Sequence, residues 1–171
     1  MLEKSDQWDE DPEYLNLVSD LLSNIYIKKL AFCPHHYYSN RLAHSIKVSY
    51  DSYLIGKKLH LNLRALARGG LLHDLFYYDW RDTGMTLSQH NRIHPIVALH
   101  NAEKLTYLTP MEKDIILKHM WGATPELPSY LESFVVSIVD DYCAVNEMIS
   151  PVLKIMENKF KNYIHSHSYY I

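Results

Sequence analysis

Cysteine, glycine, excess positive charge and long apolar runs are all scarce in this chain of 171 residues. The two Cys residues exclude a disulfide scaffold and a Cys-rich zinc module. The formal net charge of −3 argues against binding of nucleic acid polymers through bulk positive charge. No apolar run reaches the roughly 18 residues of a membrane span, and the acidic, polar segment 1–13 is unlike a signal peptide. We therefore expect one cytoplasmic domain over residues 1–171, with neither a membrane nor a nucleic acid polymer as partner.

The pattern of the apolar residues favours helices. Only five residues are Gly, and no Asn-Gly, Asp-Gly or Gly-Gly pair separates two alternating runs, so β-hairpins have little support. Apolar residues instead recur at helical spacing behind capping residues or prolines. The predicted helix starts are Asp11-Pro12, Ser39 or Asn40, Asn62, His94-Pro95, Thr109-Pro110, Leu131 and Ser150-Pro151. The sequence thus predicts an all-α domain of about six or seven helices, with a C-terminal helix at 150–167.

Three glycine or loop segments interrupt this pattern. Gly69-Gly70 falls inside the helix predicted to run from Asn62 to Leu75, although each Gly costs roughly 1 kcal/mol relative to Ala. Either that helix bends, or another backbone comes close to it. Residues 77–91 lack periodicity and are predicted to form a loop that includes His90, and Gly122 is predicted to end the helix that starts at Thr109.

Histidine, by contrast, is abundant, with 11 residues. Five positions stand out because each lies in or at the end of a predicted helix: His44, the pair His73-Asp74, His94, His119 and Asp140. Imidazole and carboxylate together suit a divalent Fe, Mn, Co, Ni or Zn ion. The His73-Asp74 pair follows an apolar segment, and metal coordination is one of the few ways to offset the cost of a buried carboxylate. A surface or core role stays open for each residue taken alone.

In their order and local context, these residues resemble the HD superfamily of metal-dependent phosphohydrolases. Arg41-Leu42-Ala43-His44-Ser45 is similar to the opening Arg-x-x-His-Ser segment of that family, and Gly70-Leu71-Leu72-His73-Asp74 to its central core. Val139-Asp140 is similar to the closing Asp. His94-Pro95 and Lys118-His119-Met120-Trp121 resemble the two middle histidines of members that hold two metal ions.

The resemblance implies a helical bundle around a metal site, with a metal-binding core at about residues 39–145. One divalent transition-metal ion would be held by His44, His73, Asp74 and Asp140. A second would be held by His94 and His119, with Asp74 as the bridge, and we therefore expect two ions. A bound metal lowers the pKa of water from 15.7 towards 7. The implied activity is hydrolysis of a phosphate ester or anhydride by a metal-bound hydroxide, with a small phosphorylated substrate, expected to be a nucleotide.

Three cationic side chains are candidates for contacts with that substrate. Arg41 lies one helical turn before His44, on the same face, and a guanidinium can bind phosphate through two hydrogen bonds. Lys47 lies one turn after His44. Arg81 ends an aromatic, charged segment, 77–81, that could stack on a base or sugar. We predict Asp74 and Arg41 as catalytic and all three cations as substrate-binding, with an exposed surface charge as the alternative for each cation.

The chain also departs from several branches of the superfamily. Tyr77 stands where the single-metal nucleotidases carry a Glu, and Leu75-Phe76 stands where the cyclic-dinucleotide branches carry a Gly. The asymmetric dinucleoside polyphosphatases are one branch with a similar dinuclear set. Two alternative functions remain: a di-iron oxygenase of the same fold, which uses the same ligand set, and a non-catalytic nucleotide sensor. A homodimer is left open.

Overall fold

The computed structural model describes residues 7–35 and 39–167. Within these ranges the chain forms seven α-helices, so the all-α prediction is confirmed. Their bounds are α1 Pro12–Ser23, α2 Ile25–Lys28, α3 Arg41–Leu59, α4 Leu63–Leu72, α5 Leu87–Leu105, α6 Pro110–Lys118 and α7 Leu131–His167. Two-residue strands β1 (Pro34–His35) and β2 (Ser39–Asn40) pair antiparallel just before α3, and short 3-10 turns cover Trp8–Glu10, Lys29–Phe32 and Trp80–Asp82.

Side-chain caps fix the starts of several helices where the sequence predicts them. Asp11 accepts hydrogen bonds from the backbone N–H groups that open α1, while Asn40 and Asn62 do the same for α3 and α4. Thr109 and Glu112 form a reciprocal capping box at the start of α6. Each cap satisfies N–H groups that a helix leaves without an internal partner.

Helix α5 begins earlier than the sequence reading places it. Its N-cap is Thr86, which forms a capping box with Gln89, so the helix starts at Leu87 and not at His94-Pro95. The predicted loop is therefore shorter, and His90 is a buried helical residue instead of a loop residue. Pro95 lies inside the helix.

Three predicted helix ends also differ from the structure. Helix α4 ends at Leu72 and α6 at Lys118, so that His73 and His119 are the residues that immediately follow the two helices. The prediction of a separate helix beginning at Ser150-Pro151 is wrong, because α7 continues through Pro151 as one helix of 37 residues.

The close packing of α3 against α4 explains the Gly69-Gly70 pair. A Cβ atom added at Gly70 would lie 2.8 Å from the Cα atom of Ser49 on α3, closer than real Cβ contacts come. Ser49 donates a hydrogen bond to the carbonyl of Ala67 at 2.6 Å and shares another with the Tyr14 hydroxyl at 2.8 Å. Of the two expectations for these glycines, close approach of a second backbone is therefore the correct one.

Two groups of buried apolar side chains hold the bundle together. The larger lies between α1, α3, α4 and α5 and includes Tyr14, Tyr53 and Leu71. The second lies beneath the first half of α7 and includes Leu66 and Val136. In the described ranges, no helix combines the length and the apolar character needed to cross a bilayer.

Candidate metal centre

Three buried histidines are oriented by hydrogen bonds to backbone carbonyls. The Nδ1 atoms of His73, His94 and His119 lie 2.7, 2.9 and 2.9 Å from the carbonyl oxygens of Gly70, His90 and Ile116. A carbonyl only accepts, so each Nδ1 must carry the proton. The Nε2 atom of each ring then lies on the opposite side. Burial lowers the pKa of His94 and His119, so these two rings are neutral at pH 7 and present the lone pair with which imidazole binds a metal. Burial would also lower the pKa of His73, but the nearby carboxylates of Asp140 and Asp74 raise it.

The helix ends supply this orientation for two of the rings. His73 and His119 follow the last residues of α4 and α6, where backbone carbonyls lack partners within the helix. Each ring bonds to a carbonyl three residues before it. Because α4 and α6 end before the residues predicted from the sequence, their last carbonyls are available to orient these two imidazoles.

The Nε2 atoms converge on two carboxylates. The Nε2 atoms of His94 and His119 lie 3.4 and 3.6 Å from Oδ1 of Asp74, and that of His73 lies 3.5 Å from Oδ1 of Asp140. Atoms bound to one ion at 2.0–2.2 Å are separated by about 3 to 3.5 Å, depending on the coordination geometry. The spacing is therefore suited to shared metal ligation.

Two features of this cluster call for a cation. The Nε2 atoms of His94 and His119 lie 2.8 Å apart, and with both Nδ1 atoms protonated, two lone pairs face each other. The Nε2 atom of His73 is buried and has no hydrogen-bond partner. A cation among these nitrogens would remove the repulsion and give the buried Nε2 atom of His73 a partner. The residues present thus fit a bound divalent metal.

His44 completes the cluster from α3. Its Nε2 lies 2.9 Å from Oδ1 of Asp140, and its Nδ1 lies 2.9 Å from Oε1 of Glu147. Ligand atoms of His44, His73 and Asp140 all lie within 4.8 Å of one another, as do those of His73, Asp74 and His119. Glu147 also accepts a hydrogen bond from Ser39. The structure thus brings together every residue that the sequence predicts as a metal ligand, from five helices or their ends.

Burial and charge act in opposite directions on these groups. Burial alone would lower the pKa of His44, but its bonds to Asp140 and Glu147 raise it to about 10. Burial lowers the pKa of His94 to about 3. Burial would raise the pKa of Asp74, yet the neighbouring His73, His94 and His119 hold it below its ordinary value. The carboxylates are therefore charged at neutral pH, as metal ligands must be.

Arg41 lies beside this cluster. Asp74, Asp140 and Arg41 line one cavity of about 510 Å³. The Arg41 side chain is buried, donates a hydrogen bond to the carbonyl of Phe76 at 2.7 Å, and places its guanidinium carbon 3.6 Å from the Phe76 ring centroid. Its Nε–H has no hydrogen-bond partner. Arg41 is thus a fixed cation beside the two carboxylates.

The other two cations named from the sequence are placed differently. Arg81 lines the cavity, but its guanidinium forms two hydrogen bonds of 2.8 Å with the carboxylate of Asp79. Lys47 pairs with Asp51 at 3.1 Å and lines a separate groove together with Trp8. The structure therefore brings Arg41 and Arg81 to the cavity and leaves Lys47 outside it.

Sequence reasoning missed two residues at the site, Glu147 and His90. Glu147 lies two helical turns after Asp140, and that i, i+7 spacing was the available signal. His90 stacks between Trp80, with ring centroids 5.5 Å apart, and His94, at 4.5 Å. It lines the cavity and precedes His94 by four residues, and the capping sequence Thr86 to Gln89 was the sign that both lie on one helix.

The comparison with protein families identifies this arrangement. The model of the HD domain matches residues 41–145. The chain belongs to the HD domain family. Members of this family bind divalent metals and are mostly metal-dependent phosphohydrolases, so membership suggests hydrolase-type activity. Searches of curated proteins and of solved structures found no match.

If Asp74 serves two ions, its removal should cost more metal than the loss of a histidine that serves one. We expect Asp74→Ala to lose both equivalents and His119→Ala to lose about one, as measured by elemental analysis of protein purified without added metal. Asp9→Ala and His100→Ala, at exposed positions, are the matched controls. Unchanged metal content in Asp74→Ala would disprove the bridging role.

Metal binding should release protons and strengthen as pH rises. In the metal-free protein, His44 has a pKa of about 10 and is protonated at neutral pH, so a metal must displace its Nε2 proton. Metal affinity is therefore expected to fall by about tenfold for each unit by which the pH is lowered, for each proton displaced. Titration calorimetry in buffers of different ionisation enthalpy measures the release directly. Equal heats in all buffers, with affinity independent of pH, would contradict this linkage.

Proposed function

We propose that the protein is a metal-dependent phosphohydrolase that cleaves a phosphate ester or anhydride of a nucleotide. One observation carries the proposal: the Nε2 atoms of His73, His94 and His119 lie close to Asp74 and Asp140, and these two carboxylates line a cavity together with Arg41. Membership of the HD domain family supports the reaction class.

The residues of the candidate site would have different roles in such a reaction. When bound, divalent ions supply a nucleophilic hydroxide at neutral pH and stabilise developing charge on phosphoryl oxygens. The carboxylates Asp74 and Asp140, with the four histidines, would hold two of these ions, the number being part of the proposal. Arg41 would orient a phosphoryl oxygen and offset its charge, because the packing against Phe76 fixes its guanidinium in advance.

The walls of the cavity favour a substrate with an aromatic group. Trp80, His90 and Phe76 line it, and Trp80 lies nearly parallel to His90, with an angle of 15° between the rings. Bases stack on such aromatic faces. The cavity volume of about 510 Å³ is in the range typical of small-molecule sites. These features support a nucleotide, with its phosphate near Arg41 and its base near Trp80.

The first test is hydrolysis of bis-p-nitrophenyl phosphate with added Mn²⁺ or Co²⁺. We expect turnover that Asp74→Ala abolishes. Arg41→Ala should keep its metal but lose roughly 100-fold or more in kcat, as expected for the removal of one preorganised donor, and Arg41→Lys should recover part of the loss. Arg92→Ala, at an exposed arginine on α5, should be unchanged.

Two results would replace the proposal with one of the alternatives. Protein that purifies with iron, is air-sensitive and hydrolyses no phosphate compound would indicate a di-iron oxygenase. Metal-loaded protein that binds nucleotides without turning them over would indicate a sensor. Full activity of Arg41→Ala, with the hydrolase itself active, would remove only the role of Arg41.

The second test concerns the base. For a nucleoside monophosphate that the enzyme hydrolyses, Trp80→Ala should lower kcat/KM by about tenfold, since stacking on one aromatic side chain contributes about 1–3 kcal/mol. Hydrolysis of ribose 5-phosphate, which lacks a base, should change little. Trp8→Ala, in the separate groove beside Lys47, is the matched control. Equal losses for both substrates would show that Trp80 does not recognise the base.

A further inference from the structure

The outer face of α7 carries a long apolar stripe. From Ile138 onward, nine large hydrophobic side chains on this helix are between 43 and 64 % exposed: Ile138, Tyr142, Val145, Met148, Ile149, Leu153, Ile155, Met156 and Phe160. The first half of α7 covers the core with its opposite face, where Val136, Val139 and Cys143 are buried. From Leu153 to Asn162, every side chain that the structure describes is exposed.

The spacing of the stripe is that of a coiled coil. Ile138, Tyr142, Val145, Ile149 and Met156 recur at intervals of four, three, four and seven residues. This alternation of three and four residues defines a heptad seam, which requires a second helix with the same periodicity. Asp140 and Glu147, which bond to His44 in the candidate metal centre, fall at the heptad position farthest from the seam.

The area of the stripe is that of a specific interface. Nine large apolar side chains, each about half exposed, offer an apolar surface of the order of the roughly 800 Å² that each partner buries in a standard interface. The largest apolar patch of a typical monomer is about 300–600 Å². The stripe therefore exceeds what a monomer ordinarily leaves exposed.

The geometry points to a second copy of this chain as the occupant, in an antiparallel two-fold dimer. The C-terminal half of each α7 would lie on the exposed face between Ile138 and Ile149 of the other copy. One chain thus offers both the apolar face and the helical arm that covers it. Such mutual coverage is what a closed two-fold interface needs.

Charge selects the antiparallel direction. Lys159 continues the heptad seam, fourteen residues after Val145. In a parallel pair, Lys159 would meet Lys159 of the second copy within an apolar seam. In the antiparallel pair, Lys159 faces Tyr142 of the second copy, next to Asp141, and Val145 faces Met156. The parallel arrangement buries like charges, and the antiparallel one does not.

The test is the molecular mass in solution by multi-angle light scattering and analytical ultracentrifugation. Two chains of 20.1 kDa should give a particle of about 40 kDa. Val145→Glu and Met156→Lys should each weaken the dimer by at least about 100-fold, because each buries an unpaired charge. The double variant should restore it, since the two charges face each other only in the antiparallel pair. Asn158→Lys, away from the seam, is the control and should remain dimeric.

Other outcomes overturn the proposal. These are a monomeric wild-type protein, single variants that stay dimeric, or a double variant that stays monomeric although circular dichroism shows it to be folded. A monomer that binds vesicles of phosphatidylcholine and phosphatidylserine would assign the stripe to a lipid surface instead. None of these readouts depends on hydrolysis, so the dimer and the proposed activity fail separately.

Discussion

The hydrogen bonds from imidazole Nδ1 atoms to backbone carbonyls are the interactions on which the rest of the site depends. They place a proton on Nδ1 of His73, His94 and His119 and fix the direction of each ring, so that the Nε2 atoms face the carboxylates. Without these bonds, the same histidines could pair with Asp74 and Asp140 as ordinary hydrogen-bond donors. The backbone thus preorganises the cluster for a cation at the cost of mutual repulsion, which is the usual character of a functional site.

Much of the fold and the identity of the ligands were predictable from the sequence, because they depend on local rules. Helix starts at Asp11, Asn40 and Thr109 follow from caps that act within four residues. The residue types of the candidate site follow from the chemistry of imidazole and carboxylate, and the segment that contains them matches the HD domain. Local rules do not predict how the helices are rotated relative to one another. That rotation places Lys47 outside the cavity, whereas Arg41 lines it.

The errors share one cause: a strong local signal was given more weight than tertiary context. Pro95 and Pro151 resemble helix starts, since Pro in a helix interior costs about 3 kcal/mol. Both lie inside long helices. Pro95 is buried in α5, where packing offsets that cost, whereas the buried apolar face of α7 lies before Pro151 and the helix continues past it with exposed side chains. Because the start of α5 was predicted seven residues too late, His90 was assigned to a loop. Glu147 was missed for another reason: the i, i+7 spacing places it on the same face of α7 as Asp140, but only the contact between α7 and α3 shows that it meets His44.

Helix α7 takes part in both the candidate metal centre and the apolar stripe, which nothing in the sequence connects. On the inner face of α7, Asp140 and Glu147 bond to His44, and the apolar stripe lies on the outer face of the same helix. The position of α7 therefore affects both the candidate metal centre and the stripe. A shift of α7 by even 1 Å would change the separation of His44 Nε2 and Asp140, whereas a second helix packed along the outer face would restrict such shifts. In the dimer proposed above, a helix packed on the outer face and a metal bound on the inner face would both favour this position of α7, and by linkage each would then strengthen the binding of the other.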